Sequence, residues 1–135
     1  MQRSFRLSSR TAELLDAAAE AEGESRNALA DRLLGEAVRL QRHPLIRFHA
    51  GAAGRRQPLV VGTRLYVHQV VSAVRAEGGD ADAAADYLGI TAPFVRAAVA
   101  YYADFAAEID QDAAVGGRAE RDERDRWERQ QRALV

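Results

Sequence analysis

The segment that most constrains the fold is residues 2–7, in which polar and apolar side chains alternate. Phe5 and Leu7 fall on one side of an extended strand, because successive strand side chains point to opposite faces. The other side carries three hydrogen-bonding side chains, Gln2, Ser4 and Arg6. So short a strand cannot satisfy its own backbone, and no second strand of matching pattern follows within the next forty residues. We therefore expect it to pair with the same strand of a second chain. The alternative is an edge strand with a solvated polar face.

Two helices are predicted after this strand, over residues 9–22 and 25–40. Ser9 or Ser8 is a suitable N-cap for the first helix, Gly23 a suitable stop, and Ser25 a cap for the second. The second helix carries apolar residues over a broad surface, namely Leu29, Ala30, Leu33, Leu34, Ala37 and Leu40. Two helices of one chain cannot bury so wide a surface, which again predicts a dimer.

This order of strand and two helices resembles the ribbon-helix-helix family of dimeric DNA-binding proteins. The resemblance rests on residues 5–7, 12–15 and 23–26 and on the apolar run through Leu29, Leu33 and Ala37. It implies an antiparallel ribbon that lies in the major groove of DNA, with Gln2, Ser4 and Arg6 as base-reading residues. It also implies that the start of the second helix binds a DNA phosphate through Ser25, Arg26 and Asn27. A plain N-cap without a ligand has the same sequence pattern.

The second half of the chain predicts a separate unit. Residues 43–57 are interpreted as a linker with turns that begins before Pro44, with His43 as a helix-end residue. Residues 58–67 predict a short β arm or hairpin around Gly62, and three helices follow over 69–76, 81–88 and 92 to about 108. Thr91 is a suitable cap for the last helix, with Pro93 in its first turn.

This unit is similar to a family of small bacterial domains of unknown function that are homeodomain-like in fold and often occur in antitoxins. The similarity rests on residues 58–67, 85–91 and 95–101. The last predicted helix has Arg96 as its strong cation, whereas Asp104, Glu108 and Asp110 repel phosphate. We therefore interpret the unit as an assembly module, with DNA reading as the alternative.

Residues 113–135 form a tail whose composition changes at Gly116 and Gly117 to almost all charged residues. Such a segment has too little apolar surface to fold alone, so we expect it to be mostly disordered when free, although its Glu and Arg spacings can support a helix. The candidate partner-binding residues are Arg118, Arg121, Arg124, Arg126, Trp127, Arg129 and Leu134. The alternative is a solvated, solubilising tail.

The three parts in this order resemble a VapB-like antitoxin of a type II toxin-antitoxin system. The resemblance implies that the tail wraps a toxin, a PIN-like ribonuclease, and inserts an arginine among its carboxylates, while the dimer binds operator DNA and represses its own operon. The alternative is a transcriptional repressor of the ribbon-helix-helix type that has no toxin partner.

Composition sets the remaining limits on these hypotheses. A net charge of −1 over 135 residues means that DNA binding must depend on local placement of cations. The chain has no cysteine, and its three histidines, His43, His49 and His68, are scattered, so we expect no enzyme, metal, cofactor or small-molecule substrate. No signal peptide or membrane span is visible, and we expect a cytoplasmic protein. The prediction is a mainly α-helical chain: a ribbon-helix-helix unit over residues 1–42, a linker over 43–57, a tri-helical homeodomain-like unit over 58–112 and the tail.

Overall fold

The computed structural model describes residues 2–51 and 54–135, and the chain divides into two compact units. Unit 1 ends at Arg42 and unit 2 begins at His43. The chain is mainly helical and includes one small two-stranded antiparallel sheet, which confirms the predicted fold class at this level.

Unit 1 contains helices α1, Ser9–Glu22, and α2, Arg26–Leu40. Ser8 is the N-cap of α1, and its hydroxyl accepts a hydrogen bond from the Thr11 backbone N–H. Gly23 ends α1 with φ +67°, in the left-handed region that favours glycine. Both helix starts and the turn between them therefore follow the capping residues identified in the sequence.

Unit 2 opens with a β-hairpin where the sequence predicts a linker. Strand β1, Ile46–Ala50, pairs antiparallel with β2, Arg56–Val60, and Ile46 lies opposite Val60. Ile46 and residues 57–60 are buried, so this segment forms part of the core of unit 2. The linker interpretation is wrong for these residues, because burial of both faces of β2 outweighs the turn-forming glycines that suggested a loop.

The predicted hairpin around Gly62 is reduced to a tight turn. Gly62 has φ +76°, the Thr63 hydroxyl donates to the Val60 carbonyl at 2.8 Å, and a single bridge joins Leu59 to Tyr66. The turn carries the chain from β2 into helix α3.

Helices α3, Val67–Ala76, and α4, Ala81–Leu88, are close to their predicted bounds. Asp80 caps α4 by accepting from the backbone N–H groups of Asp82 and Ala83. The third helix of the unit packs against both. Its buried side chains Val95, Ala98, Tyr101 and Ile109 share the core with Val60, Val67, Val70 and Ala84.

That third helix, α5, runs from Ala92 to Ala133, far beyond the predicted end near residue 108. Thr91 is its N-cap, with Pro93 in its first turn as predicted, and Phe105 alone departs from helical angles within it. The helix continues through Gly116 and Gly117, so the expectation of a mostly disordered tail is wrong. The residues that follow are rich in Arg, Glu, Gln and Ala, all good helix formers, and α5 supplies an already nucleated helix for them to extend.

No helix within the described part of the chain is both long enough and apolar enough to cross a membrane.

Candidate functional site

The candidate base-reading residues lie in a segment without regular secondary structure before α1. Gln2, Ser4 and Arg6 are all exposed, and within one chain the segment forms no strand pairing among the described residues. Phe5 and Leu7 are 74% and 47% exposed on the same segment. A single chain thus leaves both the polar and the apolar side chains of residues 2–7 in solvent.

The candidate phosphate-binding residues lie together at the start of α2. The Ser25 hydroxyl accepts from the Ala28 backbone N–H at 3.1 Å, which is ordinary N-capping geometry. Arg26 lies 3.3 Å from the Asp16 carboxylate of α1, and Asn27 is exposed. The structure brings the three residues to one helix terminus, where the helix dipole favours an anion. The exposed Asp16 competes with an anion for Arg26.

Unit 1 leaves a wide apolar surface uncovered. Ala19 and Leu29 are its buried hydrophobic residues within the described chain. Large apolar side chains remain exposed on both helices, namely Leu14, Leu33, Leu34 and Val38. Together with Phe5 and Leu7 they form what we call the uncovered face of unit 1. Such a face indicates a binding surface, because unit 1 buries few apolar side chains of its own.

Arg32 is a structural residue of unit 1 that the sequence analysis missed. Its guanidinium contacts the carboxylates of Glu22 and Glu24 at 2.6 and 2.9 Å, and that of Glu36 at 4.0 Å. The hydrogen bond that Arg32 donates to the Glu24 carboxylate raises the pKa of Arg32, and the loss of solvent around the guanidinium opposes that rise. Glu36 lies four residues after Arg32, a spacing that predicts an ion pair within one helix. Glu22 and Glu24 precede α2, so helical spacing does not predict their contacts with Arg32.

The candidate partner-binding residues of the tail are all exposed along the last turns of α5: Arg118, Arg121, Arg124, Arg126, Trp127, Arg129 and Leu134. Trp127 is 60% and Leu134 81% exposed. They lie seven residues, or about two turns, apart on one face of the helix. Arg124 is three residues before Trp127 and adjoins that face, whereas Arg129 lies on the opposite side.

His43 lies inside unit 2, so its interpretation as a helix-end residue stabilised by a dipole is wrong. Its Nε2 is 2.7 Å from Oδ2 of Asp104, and its ring meets the Tyr101 ring edge to face at 5.0 Å between centroids. The histidine joins the start of the hairpin to α5 through one polar and one aromatic contact. Asp104, which was predicted to repel phosphate, is the polar partner of His43.

A second buried polar contact joins the hairpin to α5 further along. The Arg55 guanidinium binds Oδ1 of Asp112 through Nε at 2.9 Å and Nη2 at 2.8 Å. Desolvation raises the pKa of Asp112, and the hydrogen bond from Arg55 opposes that shift. Partial burial lowers the pKa of nearby His68, and the charges of Asp112 and Glu120 oppose it. The cluster is a structural clamp within unit 2.

An open groove of about 620 Å³ lies beside this clamp between α3, α4 and α5. Its walls are mostly small or polar side chains, including Ser72, Ala73, Ala76, Ala113, Gly116 and Gly117. A Cβ added to Gly116 would meet the His68 ring at 3.4 Å, an ordinary van der Waals distance, so α5 lies against His68 of α3 at this glycine. Tyr87, 75% exposed, stands at the α4 side of the groove. The groove was not predicted from the sequence, because the last helix was expected to end near residue 108, before the residues of α5 that border the groove.

Among the described residues no group of three or more His, Cys, Asp or Glu side chains is arranged to hold a metal ion. Comparison of the chain with protein-family models, with curated proteins and with solved structures finds no match.

Proposed function

We propose that this chain is the antitoxin of a type II toxin-antitoxin pair, which binds operator DNA as a dimer through a ribbon-helix-helix unit and neutralises a PIN-like ribonuclease through its tail. The observation that carries the proposal is the uncovered face of unit 1, with Phe5 and Leu7 at its N-terminal end. A second copy that supplies an antiparallel strand would satisfy the backbone of residues 2–7 and cover apolar side chains at once.

Such a ribbon would present Gln2, Ser4 and Arg6 on its polar side. Arg can bind guanine bidentately, Gln can bind adenine, and Ser can donate to or accept from either. Ser25, Arg26 and Asn27 would then hold a backbone phosphate beside the ribbon and fix its register. Local placement of this kind does not require a strongly basic chain, in keeping with the net charge of −1.

The tail would bind the ribonuclease as a helix, because α5 extends to Ala133. A helix that carries apolar anchors on one face fits a hydrophobic groove of a partner, and its arginines suit the acidic site of a magnesium-dependent nuclease. Unit 2, with its own core, would hold the helix in place, and its homeodomain-like, tri-helical character would serve assembly. The exposed Trp127 and Leu134 favour this function over that of a repressor without a protein partner.

Two reciprocal variants test the proposal on the full chain expressed with its genomic neighbours. Truncation after Gly117 removes the exposed end of α5 and keeps the part that packs against His68, so we expect capture of a small nuclease to be lost and operator binding to remain. Arg6→Ala removes a base-reading cation, so we expect specific operator binding to fall at least about tenfold while nuclease capture remains.

Arg129→Ala is the control for the DNA measurement, since it removes the same charge from unit 2, outside the proposed ribbon. A gel-shift assay in which Arg6→Ala keeps its sequence preference contradicts the DNA-binding part of the proposal. Recovery of the dimer without any nuclease supports the repressor alternative instead.

A further inference from the structure

The exposed end of α5 and the groove beside its middle lie along one helical stripe. The residues of this stripe are spaced alternately four and three apart: Ala113, Gly117, Glu120, Arg124, Trp127, Gln131 and Leu134. This is the spacing that keeps side chains on one face of a helix that pairs with another helix. We call these residues the α5 stripe.

The α5 stripe changes character along its length. Its first part consists of the small residues Ala113 and Gly117, which border the groove. Its middle carries one acid and one base, Glu120 and Arg124, and its last part carries the large apolar residues Trp127 and Leu134. Small residues at one end and large ones at the other make the stripe complementary to a copy of itself that runs in the opposite direction.

We infer that two copies of this chain pair through antiparallel α5 helices, with Trp127 of each copy in the α3, α4 and α5 groove of the other. When Glu120 lies opposite Arg124 of the second copy, Trp127 lies opposite Gly117 of that copy, because both pairs are centred on Asp122. The twofold arrangement therefore forms two Glu–Arg pairs and fills two grooves in one register.

Charge complementarity within the stripe favours a second copy of this chain as its partner. Each half of the pair supplies its own acid and base, so an antiparallel copy places opposite charges together, whereas a parallel copy places Glu120 against Glu120 and Arg124 against Arg124. The groove can also satisfy the indole N–H, since the Glu77 and Glu120 side chains are among its walls. An exposed aromatic side chain over small residues is an arrangement typical of interface anchors.

This inference goes beyond the proposed function, because it concerns what the α5 stripe contacts when no nuclease is present. Self-pairing and nuclease binding would then compete for Trp127. A free antitoxin would keep its apolar anchor covered until a toxin displaces the second copy.

The chain contains a single tryptophan, so its fluorescence reports on Trp127 alone. We expect the emission of the purified full chain to shift to shorter wavelength, and acrylamide quenching to fall, as protein concentration rises. Glu120→Arg or Arg124→Glu alone brings like charges together and should weaken this association about tenfold. The double variant Glu120→Arg/Arg124→Glu restores opposite charges and should restore the shift.

A second pair of variants tests the groove. Gly117→Leu fills it from within the same chain, and the added Cβ meets only the flexible Arg121 side chain, at 3.5 Å, so the helix tolerates the change. We expect Trp127 to stay exposed to quencher in this variant. Ala114→Leu places the same side chain at an exposed position off the stripe and should leave the association unchanged.

The inference is overturned if Trp127 stays exposed at every concentration, if the double variant associates as weakly as the single ones, or if Gly117→Leu leaves Trp127 shielded. All of these measurements use the chain alone, so they fail or succeed independently of nuclease capture.

Discussion

Asp112 lies in the interior of unit 2 and depends on Arg55 for its compensating charge. Its side chain is buried, whereas the Arg55 guanidinium remains partly in solvent. A carboxylate that loses its cation in such a place retains the full cost of desolvation. The contact matters because it fixes the end of the hairpin to the part of α5 that borders the groove.

Arg55→Ala should lower the free energy of unfolding at neutral pH by about 1–3 kcal/mol, a range reduced for the exposure of Arg55. The pKa of Asp112 is already raised above its ordinary value of 3.8, so its contribution to stability is greatest below that pH and declines as pH rises through the folded-state pKa. Loss of Arg55 raises that pKa further. Urea denaturation should therefore show a large effect of the substitution at neutral pH and a small one near pH 3.8.

Asp112→Asn provides the control for this measurement. In a chain that already carries Asp112→Asn, removal of Arg55 leaves no buried charge behind. Arg55→Ala should therefore lower the free energy of unfolding by less in this background than in the wild type. Equal costs in the two backgrounds would contradict a charge-based role for Arg55.

At the scale of elements, the strand proposed for residues 2–7 is where dimer formation can be tested. Phe5→Asp places a charge on the apolar side of the proposed ribbon, where it would be buried between two copies. We expect it to abolish the unit 1 dimer, as measured by sedimentation or light scattering on a chain that also carries Arg124→Glu, since pairing through α5 would otherwise keep a dimer in solution. Ser4→Asp adds the same charge to the polar side, so it should weaken operator binding and leave the dimer intact. A Phe5→Asp chain that still dimerises through unit 1 would argue against a shared ribbon.

Local signals predicted most helices of this chain well and the rest of it poorly, for identifiable reasons. Ser8, Gly23, Ser25 and Thr91 act within one helical turn, so the start and end of α1 and the starts of α2 and α5 are readable without the fold. Contacts distant in sequence cannot be read in this way. The pairing of β1 with β2, the burial of His43 against Asp104 and the close approach of Gly116 to His68 all depend on tertiary packing.

The candidate site shows the same division. Exposure of the tail arginines and of Trp127 follows from composition, and the structure agrees. Their arrangement on a helix does not, because the predicted helix ended near residue 108 and so charged a segment was expected to be disordered when free. Gly116 is instead a point of contact with α3, and the helix beyond it turns a set of charged residues into a stripe with a defined face.

At the scale of the whole molecule, unit 1 and α5 carry the two surfaces proposed for a second copy, and their effects on assembly should be independent. Units with separate cores and no shared partner residues usually give additive free energies. If the two surfaces join different pairs of copies, the wild type should form species larger than a dimer at high concentration. Phe5→Asp alone and Arg124→Glu alone should each leave a dimer, held by the surface that remains.

The chain with both substitutions should be a monomer in which unit 2 stays folded on its own core, as circular dichroism can establish. Sedimentation velocity on the four proteins distinguishes the possibilities. A dimer that persists in the double variant would mean that neither surface is the one that holds it. A wild type that never exceeds a dimer, and that Arg124→Glu leaves unchanged, would confine self-association to unit 1. Independent surfaces would let unit 1 bind operator DNA while a nuclease takes the place of the second copy on α5. DNA occupancy and neutralisation of the nuclease could then be controlled separately.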